Sequence, residues 1–96
     1  MTYLEIENGR CEGWTIPMYY GSAVQFANEV KQVCTAGSTG TGTIDTPDGN
    51  IKTYFTNYKY KDGTRFILTY DENEELVEIE AKDIYDDDFD VIYSNR

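Results

Sequence analysis

The chain has no histidine. That removes the commonest general base and the commonest metal ligand together. No Ser-His-Asp or Cys-His arrangement can be assembled within one chain, and no catalytic residues are assigned. Two separated cysteines, Cys11 and Cys34, cannot close a tetrahedral zinc site and do not make a disulfide framework. Cys34 falls on a helical apolar stripe and reads as a buried thiol. Long apolar runs are missing as well: no stretch approaches the ~20 apolar residues of a membrane span. The first residues, Met1 to Glu7, lack the basic start and apolar run of a secretory signal, and there is no Asn-x-Ser/Thr sequon. The expectation is a cytoplasmic protein with reduced thiols and no membrane contact.

Bases are scarce. Eight Lys and Arg face eighteen Asp and Glu, for a formal net charge of −10. The excess is local: residues 71–90 hold eleven of the acids against one base, Lys82. A concentration of this kind makes a directed field and points to a surface rich in Lys and Arg. Fifteen per cent of the residues are aromatic and nine are tyrosine, which separates the chain from disordered acidic tails. The acids therefore decorate a folded scaffold, and 96 residues make it one domain, residues 1–96.

The patterning is mostly of period two. Tyr3 to Glu7 alternates and is followed by Asn8-Gly9, the strongest short hairpin signal. A return strand runs from Arg10 to about Ile16, with Pro17 as its stop. Ser22, with Gln25 three residues on, reads as a capping box opening a helix. Ala23, Phe26, Ala27, Val30, Val33 and Cys34 form its apolar stripe, and Ala36-Gly37 its stop. Gly37 to Gly42 reads as a flexible connector. Thr43–Thr46, Ile51–Tyr60, Thr64–Tyr70, Leu76–Ala81 and Phe89–Tyr93 read as strands joined by short turns, hence antiparallel neighbours. Asp83–Asp88 fits either a loop or one helical turn. The expected fold is α+β: a twisted antiparallel sheet of about five to six strands, mostly a meander, with one amphipathic helix packed on a face. Phe26, Val30, Val33, Phe55, Phe66, Leu68, Val77 and Ile79 are the expected core.

Clustered carboxylates raise the question of calcium. An EF-hand loop opening at Asp71 places Asn73 and Glu75 correctly, but Leu76 stands where glycine is needed and Lys82 where glutamate is needed. One opening at Asp86 puts Val91 at the glycine position. Pro47-Asp48 with Glu80-Ala81-Lys82 resembles the spacing of magnesium nucleases, yet the first pair is explained as a turn and Lys82 as a local counter-charge. A −10 face also opposes approach to a polyanion. Gly37 to Gly42 lacks the Gly-Lys-Ser/Thr ending of a phosphate loop and follows a helix instead of preceding one. Neither a metal nor a cofactor is expected, and no enzymatic activity.

Tyrosine is the second unusual feature. With Phe55 toward the helix, Tyr54, Tyr58 and Tyr60 share the opposite face. Such a row packs across strands or anchors a protein contact. Strong overall acidity argues against direct nucleic-acid binding.

The reading that follows is a small acidic inhibitor that occupies a basic, nucleic-acid-binding groove of a target protein. Asp71, Glu72, Glu74, Glu75, Glu78, Glu80, Asp83, Asp86, Asp87, Asp88 and Asp90 would stand in for phosphates, with Tyr54, Tyr58, Tyr60 and Tyr85 as anchors. In size, acidity and character the chain resembles small phage-encoded anti-defence proteins, including anti-CRISPR and anti-restriction DNA mimics. The resemblance is of type, with no motif matched residue by residue, and it implies the cytoplasm of a bacterial host. An immunity protein or antitoxin that neutralises a basic nuclease toxin is the alternative. A structural or oligomerisation module without polyanion mimicry is a third, and sheet edges or the Tyr face offer a homodimer a route. Acid runs also blunt sheet edges and keep small proteins soluble, without any partner.

Overall fold

The computed structural model describes residues 2–95. Seven strands and one helix follow in the order β1 (Leu4–Glu7), β2 (Arg10–Trp14), α1 (Tyr20–Val33), β3 (Thr35–Thr46), β4 (Gly49–Lys59), β5 (Arg65–Asp71), β6 (Leu76–Lys82) and β7 (Asp90–Ser94). The last five form an antiparallel meander in sequence order, and β1–β2 is a separate hairpin. The α+β reading holds. Asn8 and Gly9 both adopt positive φ, 52° and 76°, the backbone that a tight two-residue hairpin turn requires.

Helix α1 begins three residues earlier than its capping signal. Tyr19 is the N-cap, and Ser22 sits at the third helical position. The Ser22 hydroxyl accepts from Tyr19 N at 3.2 Å and donates to Tyr19 O at 2.8 Å, so it still closes the helix start, from inside it. At the other end Cys34 is already extended and leads straight into β3, without the Ala36-Gly37 stop.

The core lies between α1, the hairpin and one face of the sheet. Ala23, Phe26, Ala27 and Val30 project from the helix onto Phe66, Leu68, Leu76, Ile79 and Ala81. Phe66 meets Phe26 edge-on at 5.9 Å and Trp14 at 5.5 Å, arrangements that aromatic quadrupoles favour. Glu29 ties the hairpin down: its carboxylate accepts from Tyr3 N at 2.8 Å and Leu4 N at 3.0 Å. Cys11 and Cys34 are free thiols, half-buried against this core. Burial pushes the Cys34 thiol up to about 12 and raises that of Cys11, so neither is a reactive thiolate.

Three expectations need correction. Val33 is exposed: it stands at the end of α1, where it lines an open groove with Leu4, Ile6, Glu29 and Gln32. Gly37 to Gly42 is not a connector but the middle of β3, a twelve-residue edge strand. Its alternating threonines suit a strand, and a strand of this length, about 40 Å, accounts for most of the molecule's 45 Å long axis. Phe55 faces away from the helix. Register pairs Tyr54, Thr56 and Tyr58 with Tyr70, Leu68 and Phe66, which places these three on the helix side and Phe55 on the other.

Gly40 makes room for Phe55 on that face. It pairs with Phe55, and a Cβ on Gly40 would overlap the ring at Cζ and stand 2.7 Å from Cε2. The Phe55 ring lies over the glycine, as aromatic residues do when they cover a gap in a strand.

Two stability outcomes follow from this packing. Phe66→Ala should cost ~3–5 kcal/mol in denaturant melts, the range for emptying an aromatic core site, and a loss under ~1 kcal/mol would remove Phe66 from the core. Gly40→Ala should destabilise by about 1–3 kcal/mol although alanine is the better strand residue, and Phe55→Leu should relieve much of that loss. Additive costs in the double variant would show that glycine and ring are independent.

Candidate protein-interaction surface

Strand β6 organises the acidic segment. It is an interior strand between β5 and β7, with acids at both ends and two on its outward face. The turn from Asp71 to Glu75 lies at one end. Asp71 builds it: its Oδ1 accepts from Asn73 N at 2.8 Å and Glu75 N at 3.0 Å, and the carboxylate is half-buried. Glu74 is held at φ 63°, a left-handed conformation that non-glycine residues rarely adopt. Glu72, Glu74 and Glu75 are exposed.

The other end is the loop between β6 and β7, which settles Asp83–Asp88 as a loop without a helical turn. Asp83 Oδ1 accepts from Tyr85 N, at 2.6 Å, so Asp83 shapes the turn much as Asp71 does. Asp86, Asp87, Asp88 and Asp90 are exposed, and Tyr85 is 82% exposed. Between the two clusters, Glu78 and Glu80 lie on the sheet face away from the helix. Glu78 is buried and Glu80 half-buried, and both are engaged in contacts. A seven-residue strand is about 20 Å long, more than twice the Debye length of about 8 Å at physiological salt. Nine of the eleven acids thus form two patches at the ends of a rigid spacer, four at one end and five at the other, with Glu78 and Glu80 on the strand between them.

The tyrosine row does not exist as read. Tyr58 packs against the core, and Tyr60 is 5% exposed, beyond the end of β4. Tyr54 remains accessible at 42% exposure, on the helix side of the sheet. Alternation along β4 was real, but both of its faces carry aromatic side chains, so periodicity could not choose between them.

Register also creates a group that the sequence scatters. Lys59 pairs with Arg65 and Arg65 with Lys82, so three bases form one row across β4, β5 and β6, on the face away from the helix. Lys82 thus belongs to a basic row and is not simply a counter-charge within the acidic run. Like charges directly opposed on neighbouring strands are destabilising. The Arg65 guanidinium lies over the Phe89 ring at 6.0 Å, near the start of β7.

Asp62 has a structural part. Its carboxylate accepts from Cys11 N at 2.8 Å and Thr64 N at 2.9 Å, joining the β1–β2 hairpin to the β4–β5 turn. Partial burial opposes ionisation, but the hydrogen bonds, that from Thr64 foremost, outweigh it and hold the carboxyl below its ordinary value of 3.8.

Among the described residues no group of three or more His, Cys, Asp or Glu side chains converges to hold a metal ion, and no helix is long and apolar enough to cross a membrane. Comparison with protein-family models, curated proteins and solved structures found no match.

Because the folded carboxyl of Asp62 is the stronger acid, its stabilisation is present above the unfolded value near 3.8 and is lost as pH falls through the lower folded value. Asp62→Asn should therefore lower stability at pH 7 and flatten the loss of stability as pH falls below the unfolded value near 3.8. Urea melts across that range test it. An unchanged acid limb would show that Asp62 does not couple to folding.

Proposed function

We propose that this protein is a small acidic inhibitor that binds a basic, nucleic-acid-binding surface of another protein, in the manner of anti-restriction or anti-CRISPR polyanion mimics, and that it has no enzymatic activity of its own. The observation that carries this reading is the pair of exposed carboxylate clusters, Glu72–Glu75 and Asp86–Asp90, held about 20 Å apart by interior strand β6. Like charges gathered this closely weaken a fold by repulsion and speed encounter with a basic partner.

Four of the seven bases among the described residues lie over aromatic rings: Lys31 over Tyr70, Lys52 over Tyr54, Lys61 over Tyr60 and Arg65 over Phe89. That arrangement keeps cations on the tyrosine-rich sheet, while the acids of both clusters point to solvent. A partner's Lys and Arg side chains would then be the clusters' counter-charges. The site residues in this reading are Glu72, Glu74, Glu75, Asp86, Asp87, Asp88 and Asp90, with Tyr54 and Tyr85 as accessible aromatic anchors. Asp71 and Asp83 serve by shaping the two turns.

The test starts with capture of a partner from bacterial lysate at low and high salt, followed by surface-plasmon kinetics. Converting Asp86, Asp87, Asp88 and Asp90 to Asn should slow association more than it speeds dissociation, as expected of rim charges. The native complex should weaken steeply as salt rises past about 0.15 M, and the variant should fold at least as stably as the native chain. Unchanged association rates with salt-insensitive affinity would overturn the reading. The captured protein separates a defence nuclease from a toxin, and so an anti-defence inhibitor from an antitoxin.

A further inference from the structure

An open groove of about 680 Å³ lies between the end of α1 and the sheet, lined by Lys31, Tyr54, Tyr70, Asp71, Glu72 and Glu74. Its floor is aromatic. Tyr54 and Tyr70 are directly opposed on β4 and β5 and lie on the same face. The rim on one side is the acidic turn, in which Asp71 Oδ1 is committed to backbone amides while Glu72 and Glu74 are exposed.

Both floor rings carry an ammonium group of the chain itself. Lys31 Nζ stands 4.6 Å from the Tyr70 centroid, and Lys52 Nζ stands 5.4 Å from that of Tyr54. The chain's own side chains therefore report what the groove attracts: a cation over an aromatic face, with carboxylates alongside.

We infer that this groove is the receptor for an arginine side chain of the basic partner, with Lys31 as an intramolecular placeholder that the guanidinium displaces. The inference rests on the basic-partner reading above and names where that partner's anchor is held. Arginine fits better than lysine for a geometric reason. A guanidinium is planar, so it can stack on a tyrosine ring and present its edge N–H groups to a carboxylate at the same time. An ammonium is a compact and strongly hydrated point charge that gains less from the stack. Lys31 lies in the last turn of α1, where its flexible stem can swing toward solvent at little cost to the helix. The aromatic side chains beside the Asp86–Asp90 cluster are Tyr85, which is 82% exposed, and Phe89, whose ring the chain's own Arg65 already covers at 6.0 Å, so the two ends of β6 play different parts. The far cluster draws the partner in, and the groove selects arginine.

The test uses capped nona-arginine and nona-lysine peptides, titrated calorimetrically into the native chain and three variants. Tyr54→Leu removes the accessible ring, and circular dichroism confirms that the fold is kept. Lys31→Gln removes the placeholder. Lys61→Gln removes the same charge at the other end of β4 and controls for net charge. The native chain should bind nona-arginine more tightly than nona-lysine by about two- to five-fold, the worth of one exposed cation–π contact. Tyr54→Leu should reduce that preference, because only the Tyr70 ring then remains in the floor. Lys31→Gln should raise affinity for nona-arginine more than Lys61→Gln does. Equal binding of both peptides by every variant would overturn the groove while leaving the basic-partner reading standing. Failure of both peptides to bind the native chain would overturn both.

Discussion

Phe66 is where the parts of this protein meet. Its ring touches Phe26 from the helix and Trp14 from the hairpin, and its strand, β5, is the middle of the five-stranded sheet. The helix and the hairpin are held to the sheet through this one aromatic cluster, supplemented by the Glu29 carboxylate on the β1 backbone and the Asp62 carboxylate on β2. Among the described residues most of the buried apolar side chains gather in this one cluster. The stability of the acidic surface is thus borrowed from one small apolar centre.

That centre also fixes where the charges go. Ile79 and Ala81 must face the helix, so Glu78 and Glu80 must face away, because side chains alternate along a strand. The remaining acids fall in the turns at either end of β6. Two of them, Asp71 and Asp83, spend a carboxylate oxygen on backbone amides and give their turns a defined shape. The exposed acids beyond them are presented by ordered backbone instead of by a floppy tail. Rigid presentation matters for recognition, since less side-chain and loop entropy is lost on binding.

Strand β3 shows how a local signal can mislead. Its Gly-Ser-Thr-Gly-Thr-Gly stretch has the composition of a linker, and glycine weakens a strand interior. In the fold each glycine sits beside a specific neighbour. Gly40 lies under the Phe55 ring, Gly42 faces Thr53, and Gly37 approaches the Asn57 carbonyl. The low strand propensity is offset by pairing along almost the whole of β4.

Much of the architecture was legible in the amino-acid order. The Asn8-Gly9 turn, the helix stripe through Phe26 and Val30, the alternation of β5 and β6 and the turn residues between strands are all local signals. Each acts through backbone preference or burial periodicity within a few residues. The localisation of charge to residues 71–90 was equally plain. Tertiary structure alone decided which face of β4 turns inward. Tyr54, Thr56 and Tyr58 alternate with Phe55 and Asn57, and either set could have met the helix until pairing with Phe66 and Leu68 chose one. It also assembled Lys31, Tyr54 and Tyr70 into one groove, and Lys59, Arg65 and Lys82 into one row. Register joins strands that are far apart in sequence, and a shift of one residue exchanges the two faces of a strand. No local pattern encodes that pairing, because it is set by the fit of side chains across the completed sheet.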